Sequence, residues 1–248
     1  MSGCVPDGAR TGKTGETATG RLNPVIVALD FPSAEEARAL VAKLGDAAPF
    51  YKIGLELYAA SGMELVRELK QEGRRVFLDL KLYDIGETVR RAVAVIARSG
   101  VDFLTIHGMR QVVRAAAGGR GDSSLKLLAV SVLTSVDEND LRQDGYSRGL
   151  QELIDLRVRN AVEDGADGIV CSAKDTARVR GLAGRGAILV NPGVRSAGAA
   201  AGDQKRIATP AEAIAAGADY IVVGRQITRA SDPRGELERI LEETSTVA

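Results

Sequence analysis

Three charged side chains, Asp79, Lys81 and Asp84, follow an apolar run in residues 76–88, V-F-L-D-L-K-L-Y-D-I-G-E-T. On an extended strand Asp79 and Lys81 point to the same side, because side chains alternate along a strand. Charges at the end of a buried strand are costly unless they are paired. The spacing therefore predicts a paired cluster able to hold a cation beside a reacting group. A purely structural ion pair that closes a layer of side chains is the alternative.

The sequence holds a single histidine, His107. A three-histidine zinc site, a two-histidine-carboxylate site and a pair of catalytic histidines are therefore excluded. Any catalysis must rest on Lys, Asp, Arg and backbone groups. We expect His107 itself to be a buried, hydrogen-bonded residue at the end of a strand.

The composition is that of an ordinary globular enzyme, with 45% hydrophobic and 27% charged residues. Thirty-three basic residues balance 33 acidic ones, which gives no field directed at nucleic acid or an anionic membrane. No apolar run approaches the roughly 18 residues of a membrane span. Two cysteines, Cys4 and Cys171, cannot build a disulfide framework, so we expect a reducing cytoplasm.

Eight apolar runs alternate with amphipathic stretches along the 248 residues. The runs are residues 25–29, 50–53, 76–80, 103–106, 127–133, 168–171, 188–190 and 220–223. Helical patterns occupy residues 34–44, 63–71, 88–98 and 150–163. Gly-x-Asp recurs before strands at Gly100, Gly165 and Gly217, which indicates one strand–helix unit used repeatedly.

Eight such units predict an α/β fold, a (β/α)₈ TIM barrel forming a single domain, which typically takes about 250 residues. Two small domains are the alternative that the length allows, and a doubly wound open sheet lacks a G-x-G-x-x-G after its first strand. We expect residues 1–22 to be a disordered N-terminal leader and residues 23–248 to form the barrel domain. Residues 8–14 resemble a phosphate-binding P-loop, but the motif needs a glycine at residue 7, which is Asp7, and no strand precedes it, so we discard that motif.

Polar residues follow nearly every predicted strand, where the active sites of such barrels lie. They are Asp30, Lys52, Asp79 with Lys81, His107, Thr134, Ser172, Arg195 and Arg225. The last two units are typical of a phosphate site, since Arg195 follows a Pro-Gly turn and Gly224-Arg225 follows the eighth run. Residues 196–202, rich in Gly and Ala, could close over a ligand.

Taken together, these motifs resemble the orotidine 5′-phosphate decarboxylase family. The resemblance spans residues 25 to about 228 and includes D-L-K-x-x-D-I-x-x-T, which begins at Asp79 and ends at Thr88. The shorter D-x-K-x-x-D core also occurs in sugar-phosphate relatives. Its combination with Thr88, Gln204 and V-G-R is much more specific. Two departures are Gly86 and Gln226, at positions where the family commonly has proline.

The resemblance implies decarboxylation of orotidine 5′-monophosphate to UMP, the last step of de novo UMP biosynthesis, without a cofactor or metal. It implies that Lys81 stabilises and protonates the carbanion at C6 of the pyrimidine, while Asp79 and Asp84 keep Lys81 charged and positioned. It further implies a homodimer in which the segment carrying Asp84, Ile85 and Thr88 enters the partner's site. The other implied contacts are Lys52 with Asp79 and the ribose, Asp30 with a ribose hydroxyl, Thr134 near the pyrimidine, and Gln204, Arg195, Gly224 and Arg225 with the phosphate.

Two rival functions stay open on the sequence. One is a Mg²⁺-dependent 3-keto-sugar-phosphate decarboxylase or hexulose-phosphate synthase, for which Glu56 and Glu87 would be available as metal ligands. Ile85, Thr88 and V-L-T-S argue against it. The other is a catalytically silent nucleotide-binding barrel, which the presence of Lys81 argues against.

Overall fold

A computed structural model describes residues 23–198 and 208–246 of the chain. The expected leader, residues 1–22, lies outside the described residues, and so do Gln204 and most of the segment 196–202. The described residues form one closed barrel of eight parallel strands in sequential order, with helices between them. The predicted (β/α)₈ TIM barrel is therefore confirmed.

Each strand pairs in parallel with the next, and β1 closes the ring by pairing Val25 with Ile221 of β8. The strands are β1 (Val25–Ala28), β2 (Phe50–Gly54), β3 (Arg75–Leu82), β4 (Phe103–His107), β5 (Lys126–Val130), β6 (Gly168–Val170), β7 (Ile188–Asn191) and β8 (Tyr220–Val223). They are continuous apolar runs because both of their faces are buried, one inside the barrel and one against the helices.

The helices run outside the barrel and return the chain to its amino-terminal end. They are α1 (Ala34–Leu44), α2 (Leu55–Gln71), α3 (Gly86–Ala97), α4 (Arg110–Arg120), α5 (Glu138–Gln143), α6 (Leu150–Glu163), α7 (Thr176–Ala183), α8 (Pro210–Ala215), α9 (Arg225–Thr228) and α10 (Pro233–Ser245). Ser33 caps α1 as predicted, accepting a hydrogen bond from the N–H of Glu36 at 3.3 Å.

One predicted boundary is wrong and one helical segment was not predicted. Helix α2 begins at Leu55, but Gly62 with φ 56° interrupts it, so the part after this kink is the predicted helix 63–71 and the part before it was missed. The fifth strand ends at Val130, although the apolar run continues to Leu133. Val132 is buried in the core while Leu133 is 44% exposed, so the end of that run belongs to the rim of the barrel.

The repeated Gly-x-Asp joint has a common structure at the amino-terminal face of the barrel. Gly100, Gly165 and Gly217 all have positive φ, which a residue with a Cβ adopts only at a cost. The aspartate of each joint accepts a hydrogen bond from the N–H of the second residue of the preceding strand, as Asp102 does from Val76 at 2.8 Å. Each aspartate also pairs with a basic side chain, as Asp102 does with Lys70 at 2.7 Å. The joints therefore fix the strand starts.

The amino-terminal mouth of the barrel is closed by Arg75. Its guanidinium lies 4.0 Å from the ring centroid of Phe50 and donates to the hydroxyl of Tyr220 at 3.1 Å. Phe103 packs edge-on against Phe50, with ring centroids 5.0 Å apart. This end of the barrel is therefore filled, and an open cavity remains at the carboxyl ends of the strands.

Among the residues that the structure describes, no helix is both long and apolar enough to cross a membrane.

The close packing of α3 on α4 gives a stability prediction. Gly119→Ala should lower the free energy of unfolding by about 1–3 kcal/mol, because a Cβ there would lie 2.2 Å from the carbonyl oxygen of Arg90. Gly118→Ala is the matched control, since nothing lies within 4 Å of its added Cβ. That substitution should raise the free energy of unfolding by up to about 1 kcal/mol, because alanine has a higher helix propensity than glycine. Urea unfolding followed by circular dichroism compares them, and equal effects would contradict this account of the packing.

Candidate active site

A cavity of about 650 Å³ opens at the carboxyl ends of the strands. Its floor is apolar and includes Ala28, Phe77, Val170 and Val222. Charged and polar predicted residues surround this floor: Asp30, Lys52, Asp79, Lys81, Thr134, Arg195, Gly224 and Arg225. Eight of the predicted site residues therefore line one cavity, as expected for a barrel of this kind.

Four charged side chains form a chain of ion pairs across the cavity. Lys52 Nζ donates to Asp30 Oδ1 at 2.9 Å and lies 3.6 Å from Asp79 Oδ2. On the other side of Asp79, Lys81 Nζ donates to Oδ1 at 2.7 Å. Positive and negative groups alternate from Asp30 to Lys81, so each ammonium has a counter-charge although Lys52 is only 8% exposed.

The contact between Asp79 and Lys81 is the predicted one, but a regular strand does not produce it. The pairing of β3 with β4 shifts register between Leu78 and Leu82, and Lys81 has φ 48°. Lys81 is the one non-glycine residue in residues 23–198 and 208–246 with positive φ. Such backbone costs about 1–3 kcal/mol and persists where the surroundings enforce it. The bulge thus aims the Lys81 side chain.

Thr105 of β4 is a site residue that the sequence analysis missed. Its hydroxyl donates to Asp79 Oδ1 at 2.9 Å and accepts from the N–H of Lys81 at 2.9 Å. It is fully buried, so it supports both the carboxylate and the bulge. The available signal was a lone hydroxyl in the apolar run F-L-T-I-H.

Asp79 is held in its ionised form. Burial alone would raise the pKa of this carboxyl, but the ammonium groups of Lys52 and Lys81, with the hydrogen bonds from Lys81 and Thr105, bring the pKa below its usual value. The carboxylate contributes stability above its unfolded pKa, and that contribution is lost as the pH falls through the folded pKa. Asp79 is therefore a fixed negative charge at neutral pH, facing the cavity.

The cavity lining also includes two arginines, Arg195 on the loop after β7 and Arg225 at the start of α9. Arg195 follows β7 and Arg225 follows β8, and those two strands pair directly. The loop at Arg195 is held by a hydrogen bond from its N–H to the carbonyl of Ala208 at 3.0 Å. Two guanidinium groups and the backbone at Gly224 suit an oxyanion such as a phosphate group. The predicted fourth phosphate ligand, Gln204, lies outside the described residues.

Asp84, Ile85 and Thr88 lie on the surface and outside the cavity lining. Asp84 Oδ1 accepts from the N–H of Ile85 at 2.6 Å, and Ile85 is 75% exposed. Within the described part of the chain, no ion pair joins Asp84 to Lys81. A single subunit therefore assembles Asp79, Lys81 and Lys52, but it does not bring Asp84 to them.

His107 differs from its expected role. It lies at the end of β4, partly buried and stacked on Tyr83 with ring centroids 4.6 Å apart. Its Nδ1 is buried without a hydrogen-bond partner among the described residues, so the expected hydrogen bond is not made at that nitrogen. Burial lowers the pKa of His107, as does the nearby cation of Arg157. His107 does not line the cavity.

The two glutamates considered as metal ligands also lie outside the cavity lining. Glu87 is exposed and pairs with Arg90 at 2.7 Å, and Glu56 is exposed in the first turn of α2. Throughout the described residues, no three or more His, Cys, Asp or Glu side chains are grouped as they would be around a metal ion.

The sequence of this chain is similar to those of named proteins. A protein named orotidine 5′-phosphate decarboxylase from Rhodopseudomonas palustris (strain BisA53) is 54% identical over 219 residues, covering 88% of this chain and 93% of that protein. One of the same name from Afipia carboxidovorans is 50% identical over 228 residues, covering 92% of this chain and 97% of that protein.

A solved structure supports the same relationship. The orotidine 5′-phosphate decarboxylase from Lactobacillus acidophilus is 35% identical with a TM-score of 0.79, and the match covers 90% of this chain and 99% of that one. The family model described as "Orotidine 5′-phosphate decarboxylase / HUMPS family" matches residues 23–240. The chain therefore belongs to the orotidine 5′-phosphate decarboxylase / HUMPS family.

Proposed function

We propose that this chain decarboxylates orotidine 5′-monophosphate to UMP, the last step of de novo pyrimidine nucleotide synthesis. The observation that carries the proposal is the Asp79 carboxylate held between Lys52 and Lys81 in a cavity that two arginines also line. The decarboxylase names of relatives at 50% identity and above support the same substrate.

The charges of the cavity suit this substrate. Five cationic side chains and two carboxylates line it among the described residues: Lys52, Lys81, Arg195, Arg225, Arg229, Asp30 and Asp79. The substrate, with a phosphate and a carboxylate, carries about three negative charges when ionised, and a lining with more cationic than anionic side chains attracts such an anion. A ligand of this charge is bound at opposite ends, its phosphate by arginines and its pyrimidine near the lysines.

The chemical step needs a cation beside C6 of the pyrimidine. When the C6–carboxylate bond breaks, CO₂ leaves and the electron pair stays on C6, in the ring plane and without a neighbouring carbonyl to delocalise it. The Lys81 ammonium stabilises that charge and then donates a proton to C6, giving UMP and a neutral amine that regains its proton from water. Asp79 holds the ammonium in place, and its charge faces the departing carboxylate.

The remaining residues bind and orient the substrate. In this proposal Lys52 and Asp30 contact the ribose hydroxyls and Thr134 contacts the pyrimidine; all three line the cavity. Arg195, Gly224 and Arg225 hold the phosphate, together with Gln204. Contacts to this remote phosphate raise the rate as well as the affinity where they hold the closed, water-excluding state. No cofactor and no metal enters any step.

We further propose a homodimer with shared active sites. Large apolar side chains follow β2, β3 and β5 at the cavity end of the barrel and are exposed in the single chain: Leu55 (63%), Tyr83 (61%), Ile85 (75%) and Leu133 (44%). An exposed apolar set on one face is typical of an interface. The same face carries Asp84 and Thr88, which would then complete the partner's cavity. A cytoplasmic location remains a proposal from cysteine use.

Lys81→Ala should lower kcat for orotidine 5′-monophosphate by at least about 10⁴-fold, because it removes both the stabilising cation and the proton donor. The decrease in ultraviolet absorbance of the substrate measures turnover. Lys126→Ala, which removes an exposed lysine at the opposite face of the barrel, is the matched control and should retain activity. Near-normal turnover in Lys81→Ala would rule out the mechanism above.

Turnover should be unchanged after exhaustive treatment with EDTA, because the charge that stabilises the transition state is supplied by Lys81. The measurement is the same absorbance assay, before and after chelation and after adding Mg²⁺. Activity that disappears with EDTA and returns with Mg²⁺ would place the chain with the sugar-phosphate branch of the family instead.

A mixture of two inactive variants tests the shared site. If Lys81 and Asp84 of one site come from different subunits, a mixed dimer of Lys81→Ala and Asp84→Asn has one site with both substitutions and one with neither. Co-expression or joint refolding should then restore about a quarter of wild-type activity, since half of randomly formed dimers are mixed. Mixtures that stay inactive, with mixed dimers shown to form, would mean that Asp84 acts within its own subunit.

A further inference from the structure

Gln226 joins the loop after β7 to the start of α9, the two segments that carry the arginines of the cavity. Its Oε1 accepts a hydrogen bond from the N–H of Ser196 at 3.0 Å, and its Nε2 donates to the Ser196 hydroxyl at 2.8 Å. Ser196 directly follows Arg195, and Gln226 directly follows Arg225. Two hydrogen bonds from one side chain therefore connect the backbones from which the two guanidinium groups extend.

A third contact anchors Gln226 to the C-terminal helix. Nε2 also donates to Oε1 of Glu236, in the first turn of α10, at 2.6 Å. Glu236 is in turn paired with Arg239 at 2.6 Å. The hydrogen bond from Arg239 lowers the pKa of Glu236 although partial burial opposes it, so the acceptor stays a carboxylate. Gln226 thus links the β7 loop to a charged pair on the outer layer of the barrel.

The contacts require an amide at this position. The Ser196 N–H only donates, and the Glu236 carboxylate only accepts, so the bridging group must present one acceptor and one donor. A glutamate would place a second carboxylate against Glu236, and an apolar side chain would leave the N–H of Ser196, which is 4% exposed, without its partner. These two neighbours also fix which end of the amide is the oxygen.

We propose that Gln226 is a positioning residue for phosphate binding, holding the loop after β7 and the start of α9 at the separation at which Arg195 and Arg225 bind one phosphate monoester. This rests on the proposed function, because it assumes that the phosphate of a nucleotide occupies the part of the cavity at these arginines. Gln226 also lines the cavity, but both ends of its amide are engaged by Ser196 and Glu236. It therefore acts through the segments that carry the two arginines and has no part in the chemistry at Lys81. Its loss should therefore weaken the binding of phosphorylated ligands selectively.

The experiment compares the binding of UMP and uridine by titration calorimetry. Gln226→Met, close in size but unable to form the bridge, should raise the Kd for UMP about tenfold and the Kd for uridine by less than about twofold. The KM for orotidine 5′-monophosphate should rise in the same ratio as the Kd for UMP. A loss of folded protein would lower the active fraction without changing either constant.

Two further variants calibrate this result. Gln151→Met removes a glutamine side-chain hydrogen bond to Asp175, 3.0 Å long, from residues that do not line the cavity, and should leave both Kd values unchanged. Arg225→Ala removes a charged phosphate contact outright and should raise the Kd for UMP about a hundredfold.

Ser196→Ala tests the bridge from its other side. It removes the hydroxyl acceptor but keeps the N–H donor, so the Kd for UMP should rise less than in Gln226→Met. Adding it to Gln226→Met should change little, because both substitutions break the same bridge. This variant decides the question if Gln226→Met does not fold, since an unchanged Kd for UMP in Ser196→Ala would then overturn the proposal.

An unchanged Kd for UMP in folded Gln226→Met, or equal weakening of UMP and uridine, would overturn the positioning role and leave the proposed function standing. A wild-type protein that binds UMP no more tightly than uridine would overturn the phosphate site itself. The two failures are therefore distinguishable.

Discussion

The site depends on one buried carboxylate shared by two ammonium groups. Asp79 lies 2.7 Å from Lys81 and 3.6 Å from Lys52, so its charge compensates two cations that would otherwise repel each other in a partly desolvated cavity. Removing it would leave the Lys81 ammonium without its counter-charge and Lys52 with Asp30 alone, which is the costly case for buried charge. Thr105 and the bulge at Lys81 belong to the same constraint, since both fix where the carboxylate meets the Lys81 ammonium.

The contacts that stabilise the barrel and the charged residues of the cavity lie at opposite ends of the barrel axis. At the amino-terminal end, the aspartates of the Gly-x-Asp joints accept hydrogen bonds from strand N–H groups, and Arg75 fills the mouth. At the carboxyl end, charged groups point into an open cavity. The strained backbone at Lys81 and the buried charges at the carboxyl end persist because the amino-terminal end has satisfied hydrogen bonds and close packing. The cavity residues thus lie on strands whose positions are fixed by hydrogen bonds and packing at the amino-terminal end.

Much of this arrangement could be predicted from local pattern. Apolar runs and repeated joints indicate the barrel, and the rule that active sites collect at the strand ends groups Asp30, Lys52, Asp79 and Lys81. Period-two alternation gave the right contact for Asp79 and Lys81 but the wrong cause, because a register shift cannot be seen in one strand alone. Thr105 was missed for the same reason, since its role depends on pairing across strands. The wrong end of β5 and the unpaired Nδ1 of His107 follow from tertiary packing that periodicity does not describe.

The two departures from the family pattern, Gly86 and Gln226, have a shared explanation in helix geometry. Both stand in the first turn of a helix, α3 and α9, where proline is favoured because first-turn N–H groups have no carbonyl partner within the helix. Replacing proline there loses backbone restriction and removes no helical hydrogen bond. At Gly86 nothing in the described structure offsets that loss. At Gln226 the side chain makes three hydrogen bonds that proline cannot make. These bonds connect α9 to the loop after β7 and to α10, and they offset the lost backbone restriction.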